Sequence, residues 1–203
     1  MKIFYFLLFI PFALTAQNNS IDFSPALVCI NSFDSLQKAK SVFPFDEMSR
    51  YDWNYLPPSL IPRQGVCLKD LNSTQKNNIY ALLKSFLSYK GYSRTQDIMN
   101  NEYYLKELEP NNIHRIPENY FVAFYGNPGK DSVWGWKFSG HHIALNFTIV
   151  NGKLAFTPIF FGIYPAEIKS GQNKGTRIIK DEEDMGFELI NMLTTEQKLK
   201  HVI

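Results

Sequence analysis

The stretch WGWKFSGHHIALNFTIV, residues 134–150, decides how the sequence is interpreted as a fold. Large apolar residues alternate in it with polar or small ones, which is the period of a strand that has one buried face. It predicts two β-strands, at residues 134–139 and 141–150. Trp134 and Trp136 are two residues apart and therefore share one face of the first strand.

More strands are predicted on either side of this stretch. The segment FVAFYG, residues 121–126, ends at the turn-forming residues NPGKDS. The pair Asn151-Gly152 is the signal of a two-residue hairpin, and it precedes the segment KLAFTPIFFG, residues 153–162. Four strands that follow one another in this way predict an antiparallel meander.

Helices are predicted before and after the strands. Apolar residues recur at helical spacing from about residue 71 to Gly91, and a second helix is predicted from about Ser93 to Glu109. A shorter helix is predicted at Ser35–Val42 with Asp34 as its N-cap, and a last one at about residues 181–200. This segregation of helices and strands predicts an α+β fold in which helices cover one face of the sheet.

The remaining segments show no regular period. Residues 17–32 are polar and then mixed, which predicts an extended N-terminal arm. Residues 43–66, FPFDEMSRYDWNYLPPSLIPRQGV, contain four prolines among aromatic residues. Because proline disfavours both a long helix and a central strand, they predict an ordered, aromatic, proline-rich loop.

The first sixteen residues, MKIFYFLLFIPFALTA, have the composition of a secretory signal peptide. The predicted organisation is a signal peptide at residues 1–16 and a single globular α+β domain at residues 17–203. The apolar run is shorter than the ~20 residues that a membrane-spanning helix needs, so we expect no stable membrane anchor once the signal peptide is removed. The protein is expected to be secreted or periplasmic.

Charge and cysteine content limit the partners. The chain of 203 residues has 21 Lys and Arg against 19 Asp and Glu, and the basic residues are scattered. This balance is atypical of a nucleic-acid-binding protein, whereas a small-molecule ligand stays open. Cys29 and Cys67 would meet an oxidising compartment, and the sequence leaves open whether they form a disulfide or remain buried thiols.

Eight segments resemble a known family when they are taken together and in order. They are RYDWNYLP, RQGVCLKDL, LLKSFLSYKGY, YFVAFYGNP, WGWKFSGHH, LNFTIVNG, TPIFFG and GTRIIKDEED. They look like the uncharacterised domain-of-unknown-function family 3500, over a range from about Phe45 to Leu193. The resemblance implies a fold and a set of candidate positions but does not specify a reaction, and the sequence leaves the cofactor unknown. Ala144 departs from the serine that the family often has there.

The adjacent histidines His141 and His142 are the first candidates for chemistry. On a predicted strand their side chains point to opposite faces, so we expect one to face a pocket as an acid or base. Either could instead be a hydrogen-bonded core residue. Glu183 is the carboxylate that we predict to join them as a catalytic residue. No metal site is predicted, because spacings such as H-E-x-x-H and C-x-x-C are missing, although an open site that uses one histidine and a carboxylate stays an alternative.

Arg50, Arg63 and Arg177 are predicted substrate-binding residues. Each lies in a segment interrupted by proline or glycine and beside aromatic or apolar neighbours, where a guanidinium can offer a planar fork to a carboxylate or phosphate. The alternative is that they pair with internal carboxylates such as Glu183 or Asp184. The sequence leaves both interpretations open.

Three tryptophans complete the candidate site. Trp53, Trp134 and Trp136 offer flat apolar walls on which a ring-bearing ligand could stack, although such a row usually belongs to a core. The hypothesis that we favour is an enzyme-like domain whose His/Arg/Trp pocket lies where the aromatic loop meets the sheet and acts on a small anionic or ring-bearing molecule. A binder without turnover and a metal-binding protein that uses His141 and His142 are the alternatives. An enzyme should have a histidine that is hydrogen-bonded to an orienting carboxylate.

Overall fold

The computed structural model describes residues 20–201, so the predicted signal peptide lies outside the described residues. Within that range the α-helices are α1 (Ser24–Ser32), α2 (Ser35–Ser41), α3 (Ser73–Phe86), α4 (Tyr89–Leu108), α5 (Lys180–Met192) and α6 (Thr195–His201), and short 3₁₀ helices lie at Met48–Tyr51 and Leu68–Asp70. The strands are β1 (Val42–Phe43), β2 (Val66–Cys67), β3 (Phe121–Tyr125), β4 (Val133–Gly140), β5 (Ile143–Val150), β6 (Lys153–Ala155) and β7 (Ile159–Phe161). Within the same range no helix has the length and apolar character that a membrane crossing requires.

The strands β3, β4 and β5 form the antiparallel centre of the sheet. All eight residues of β4 pair with β5, from Val133 opposite Val150 to Gly140 opposite Ile143. β3 pairs with the other edge of β4. Helices and a sheet are both present, which confirms the predicted α+β class.

The predicted four-stranded antiparallel meander is wrong, because the described residues form a mixed sheet of seven strands. β1 runs parallel to β3, and β2 is antiparallel to it along the same edge. Each is two residues long, too short to show a strand period in the sequence. On the opposite edge, β6 and β7 both pair with β5, where one strand was predicted. Pro158 lies between them and has no N–H to donate to a continuous ladder.

The two faces of the sheet have different neighbours. On one face, apolar side chains of β3, β4 and β5 form the core with α1, α3 and α4. Phe86 of α3 lies edge-on against Trp136 and Phe147, with ring centroids 5.1 and 5.3 Å apart. On the opposite face, Lys137 and Ser139 of β4 lie next to the chain between β1 and β2. We call residues 44–65, which cover that face, the covering segment.

The predicted extended arm at residues 17–32 is wrong for residues 24–32, which form α1. Pro25 lies in the first turn of α1, where a backbone N–H has no acceptor within the helix, so proline removes no helical hydrogen bond there. Ala26 and Cys29 are fully buried, and α1 packs against α3. Tertiary packing therefore stabilises a helix that has no regular apolar stripe in its sequence.

Capping residues set the helix boundaries. Asp34 caps α2 as predicted, because its carboxylate accepts a hydrogen bond from the backbone N–H of Gln37 at 2.8 Å. Asn72 caps α3 in the same way, and the hydroxyl of Ser88 caps α4. Since α4 begins directly after Ser88, Gly91 lies in its first turn and not in the predicted turn between the helices.

The predicted last helix, at about residues 181–200, is divided into α5 and α6 at Leu193 and Thr194. No residue of α5 is buried. Ion pairs from Lys90 to Asp181 and from Arg94 to Glu182 attach its first turn to α4. The C-terminal helices therefore add little to the core.

Both cysteines are buried, and both are free thiols. Burial raises the pKa of Cys29 to about 12, and it also raises the pKa of Cys67. Neither thiol is therefore a ready nucleophile at neutral pH.

Candidate functional site

A cavity of about 300 Å³ lies between the sheet and the covering segment. Trp53 and Arg63 from the covering segment line one side of it, and Lys137 and Asn146 from β4 and β5 line the other. We call this space the cation cavity. Its volume is at the lower end of the range for small-molecule pockets, so it suits a small ligand.

Lys137 is the cation that the sheet contributes. Its Nζ donates hydrogen bonds to the carbonyl oxygens of Ser49, at 2.9 Å, and of Asp52. Burial lowers the pKa of Lys137 to about 8. The charge of Asp52 opposes this shift, whereas the charges of Arg63 and Arg50 add to it. Lys137 therefore titrates much closer to neutral pH than an ordinary lysine.

Arg63 is the cation that the covering segment contributes. Its guanidinium donates hydrogen bonds to the carbonyl oxygens of Leu56, at 2.6 Å, and of Ile61. Its Nε is enclosed and has no partner within the described chain, and burial lowers the pKa of Arg63. Among residues 20–201, no carboxylate forms an ion pair with Arg63 or Lys137. The cation cavity therefore has two positive groups whose hydrogen bonds go mainly to neutral oxygens.

Arg50 lies at a neighbouring cavity of about 190 Å³, which shares Lys137 and Asn146 with the cation cavity. Its guanidinium lies over the rings of Phe45 and Tyr51, 4.3 and 4.2 Å from their centroids. It donates hydrogen bonds to the carbonyl oxygen of Phe45 and the hydroxyl of Tyr51. Arg50 thus adds to the positive charge around Lys137.

The three predicted tryptophans lie on different sides of the sheet. Trp134 and Trp136 have their side chains in the core, among the residues that pack against α3. Trp53 is 36% exposed and lines the cation cavity. Its ring meets those of Tyr55 and Phe160 edge-on, at 5.9 and 6.1 Å. Of the three, Trp53 is therefore the one that can offer a wall to a ligand.

The histidine pair does not lie on a strand. His141 and His142 form the turn between β4 and β5, and His142 has a positive φ of 60°. Their ring centroids are 3.9 Å apart. The expectation that the two side chains point to opposite faces is therefore wrong, because strand alternation ends at Gly140. Both histidines line a hollow of about 340 Å³ outside the cation cavity, which we call the histidine hollow.

His141 is bound to a buried carboxylate. Its Nδ1 lies 2.5 Å from Oε1 of Glu102, which is on α4 and is 2% exposed. An ionised carboxylate can only accept a hydrogen bond, so it would take one from an N–H at Nδ1 of the imidazole. When the ring is neutral, that tautomer has Nε2 as its basic atom, and no hydrogen bond within residues 20–201 uses Nε2. The pair has the arrangement of a general base with an orienting carboxylate.

His142 is held neutral. Its backbone N–H donates to the carbonyl oxygen of Tyr55 at 2.9 Å, and its carbonyl oxygen accepts from the N–H of Gly162 at 2.8 Å. Burial lowers the pKa of His142 to about 4, and the charges of His141 and Arg115 contribute to the shift. Its Nε2 is enclosed without a partner in the described chain. His142 therefore stays uncharged at neutral pH.

This burial predicts a pH-dependent stability. Because the pKa of His142 falls from 6.5 in the unfolded chain to about 4 in the fold, its contribution is complete above pH 6.5 and is lost as the pH falls toward 4. The difference is at most about 3 kcal/mol, less whatever solvent screening relieves. Urea denaturation of the wild type and of His142→Asn, whose side chain tolerates a positive φ, measures it. Equal loss of stability in both proteins over that pH range would contradict the assignment.

Arg177 and Glu183 are paired with each other. Two guanidinium nitrogens of Arg177 lie 2.6 and 2.9 Å from Oε2 of Glu183, and one also contacts Asp184 at 2.6 Å. These two carboxylates raise the pKa of Arg177. Arg177 therefore pairs with internal carboxylates, which is the alternative to its predicted role in substrate binding. Neither Arg177 nor Glu183 lines the cation cavity or the histidine hollow.

The described part of the chain gathers no group of three or more His, Cys, Asp or Glu side chains that could hold a metal ion. Three acidic residues of α5 that could have joined a histidine at an open metal site are bound elsewhere: Glu182 to Arg94, and Glu183 and Asp184 to Arg177. The geometry therefore gives the metal-binding alternative no ligand set among these residues.

Two site residues were missed by the sequence interpretation, although each left a signal. Lys137 interrupts a row of aromatic residues in β4 at a position that alternates with Trp136 and Phe138. Glu102 lies four residues after Ile98 on α4, which places its carboxylate on the buried stripe of that helix. Glu102 is thus a charged residue at a position that the helical period assigns to packing, which predicts a partner or a function.

Comparison with known proteins gives one match. A family model described as protein of unknown function (DUF3500) matches residues 24–203, which confirms the resemblance and extends it beyond Phe45–Leu193 in both directions. No curated protein and no solved structure matches the chain. The matched range includes the cation cavity and the histidine hollow.

Proposed function

Because the chain belongs to the DUF3500 family, whose description names no activity, we propose a function from its site: the cation cavity binds a small anionic, ring-bearing molecule. The observation that carries this proposal is the enclosed Nε of Arg63, which has no hydrogen-bond partner in the described chain. A buried donor without a partner is costly in a protein that has no ligand for it. An acceptor oxygen of a ligand would remove that cost.

Charge supports an anion. Arg63 and Lys137 both line the cavity, and the burial that lowers the pKa of each shows that their charged forms are poorly solvated. A carboxylate or phosphate placed between them would supply the counter-charge that carboxylates within residues 20–201 do not supply by direct contact. Guanidinium is suited to this role because it can bind two oxygens of one anion at once.

The aromatic wall supports a ring-bearing ligand. Trp53 lines the same cavity and keeps 36% of its surface exposed, whereas Trp136 has none exposed. Edge-on contacts from Tyr55 and Phe160 support the indole from the sides. A planar ligand could therefore stack on Trp53 while its acidic group meets the two cations.

A titration with phenylacetate tests this proposal. Phenylacetate carries a ring and a carboxylate, and its amide, phenylacetamide, is the uncharged control of the same shape. We expect phenylacetate to bind the purified protein, as measured by calorimetry, and phenylacetamide to bind at least about tenfold more weakly. The replacement Arg63→Met should weaken phenylacetate binding by a similar factor, because it removes the guanidinium.

Arg177→Met is the matched control, since Arg177 is paired with Glu183 and lies outside the cavity. It should leave the affinity for phenylacetate unchanged. Equal affinity for the acid and the amide, or equal effects of the two arginine variants, would count against an anion site at Arg63.

The second candidate function is acid–base catalysis by His141 and Glu102. The observation that favours it is the 2.5 Å contact between Nδ1 of His141 and the buried carboxylate, beside a hollow that a substrate group can enter. This interpretation makes the protein enzyme-like. We expect the variant His141→Gln to bind phenylacetate as the wild type does in the same titrations, because the histidine hollow is separate from the cation cavity.

The proposal also includes export. The segment at residues 1–16 supports a secreted or periplasmic location, where the cation cavity would meet small molecules outside the cytoplasm.

A further inference from the structure

We infer that Lys137 is a nucleophilic amine that forms an imine with a small carbonyl compound carrying an adjacent acidic group, such as a 2-oxo acid. This inference rests on the proposed function, because the substrate's anionic group is the one that Arg63 would hold. It goes beyond that function because it assigns a covalent reaction to the cation cavity and 2-oxo acids as the class of substrate. The geometry of the Lys137 amine carries it.

The backbone holds the Lys137 side chain at a fixed place. In the sheet, Lys137 lies between Ala123 of β3 and Asn146 of β5, with strands paired on both sides. At its tip, Nζ donates to the carbonyl oxygens of Ser49 and Asp52. A neutral amine has two N–H bonds and one lone pair, so two acceptors use both N–H bonds. The lone pair is then left for a ligand in the cavity that Lys137 lines.

The surroundings make the neutral amine of Lys137 more accessible than that of an ordinary lysine. Ion pairs would hold the proton on Nζ, but no carboxylate among residues 20–201 contacts Lys137 directly. The positive charges of Arg63 and Arg50 oppose a third positive charge between them, although the charge of Asp52 acts in the other direction. Desolvation beside other cations is a known way to activate a lysine for imine formation.

The reaction balances without an oxidant or reductant. The lone pair of neutral Nζ attacks the carbonyl carbon, and a C–N bond forms while the carbonyl oxygen takes up a proton that the nitrogen loses. The carbinolamine then expels its hydroxyl group, which leaves as water with one further proton from the medium, and the iminium gives that proton back when it becomes neutral. Overall, amine and carbonyl give imine and water. Arg63 would bind the neighbouring carboxylate throughout.

Phenylpyruvate with sodium cyanoborohydride tests the inference on the purified protein. The hydride reduces an imine to a stable secondary amine, which intact-mass measurement detects and peptide mapping locates. We expect a single major adduct on Lys137. Phenylacetone has the same ring and ketone but no carboxylate, and it should label Lys137 at least about tenfold less under the same conditions.

Two lysine variants sharpen the result. Lys137→Arg keeps a positive charge and should abolish the adduct, whereas Lys153→Arg, at an exposed position of β6, should leave it unchanged. Peptide mapping of the wild-type protein gives the answer even if Lys137→Arg does not fold. Labelling spread over exposed lysines, or equal labelling by phenylacetone, overturns the inference.

The phenylacetate titration separates this inference from the proposed function, because phenylacetate has no ketone and cannot form an imine. If phenylacetate binds through Arg63 but phenylpyruvate leaves Lys137 unlabelled, the covalent chemistry is wrong and the anion site stands. If phenylacetate does not bind, the proposed function fails, and specific labelling of Lys137 would then have to arise without an anion site.

Discussion

Replacing Trp136 with alanine should lower the free energy of unfolding by about 3–5 kcal/mol. Trp136 is fully buried, and its ring is stacked on Phe147 at a centroid distance of 4.2 Å with an interplanar angle of 10°. Phe86 meets it edge-on at 5.1 Å and so joins α3 to the sheet. Removing the indole would leave a cavity at the contact between the two layers of the fold. Urea denaturation followed by circular dichroism measures the change.

Two control variants separate the packing effect from the general effect of removing a tryptophan. Trp53→Ala removes an indole that is 36% exposed, and it should destabilise the protein less. Trp136→Phe keeps a ring in the core and removes an indole N–H that is buried without a partner in the described chain. Its loss of unfolding free energy should therefore lie between those of Trp136→Ala and Trp53→Ala. A loss for Trp136→Ala no larger than that for Trp53→Ala would contradict the assignment of Trp136 to the core.

The hairpin of β4 and β5 could be predicted because both strands are long and have one buried face. Each offers eight residues, so the alternation repeats often enough to stand out from chance. β1 and β2 are pairs of residues whose strand conformation depends on β3 as a neighbour. The helix α1 depends in the same way on packing against α3. The local sequence pattern predicts elements that are long enough to show a hydrophobic period. It misses short elements whose conformation depends on contacts with a distant part of the chain.

The candidate site was less predictable, because similar local sequences give side chains different partners and because His141 finds its partner far away in the chain. Arg63 and Arg177 look alike in sequence, yet Arg177 meets carboxylates six and seven residues away, whereas Arg63 meets the backbone carbonyls of Leu56 and Ile61. The strand period, when it is extended past Gly140, predicts that the side chains of His141 and His142 point to opposite faces. In the structure the turn brings both rings to one side, and the partner of His141 is Glu102, 39 residues away.

The pairing of His141 with Glu102 predicts the second large effect: His141→Ala should lower the free energy of unfolding by about 3–5 kcal/mol at neutral pH. Glu102 is 2% exposed and forms its 2.5 Å contact with Nδ1 of His141. Without the imidazole, the buried carboxyl group would lose the side-chain hydrogen-bond partner that it has among residues 20–201. Urea denaturation of the purified variant measures the loss.

The reason for that loss can be tested by removing the charge as well. The second replacement Glu102→Gln, made in the His141→Ala protein, should recover part of the stability, because a neutral amide is less costly to bury than an unpaired carboxylate. Lys200→Ala is a control for ion pairs in general, since Lys200 and Glu196 are 64% and 78% exposed and their pair should contribute at most about 1 kcal/mol. If Glu102→Gln recovers nothing, the loss in His141→Ala comes from the turn and not from the stranded charge. Recovery would instead establish Glu102 as an ionised carboxylate in the core, which is the state that an orienting partner of a catalytic histidine requires.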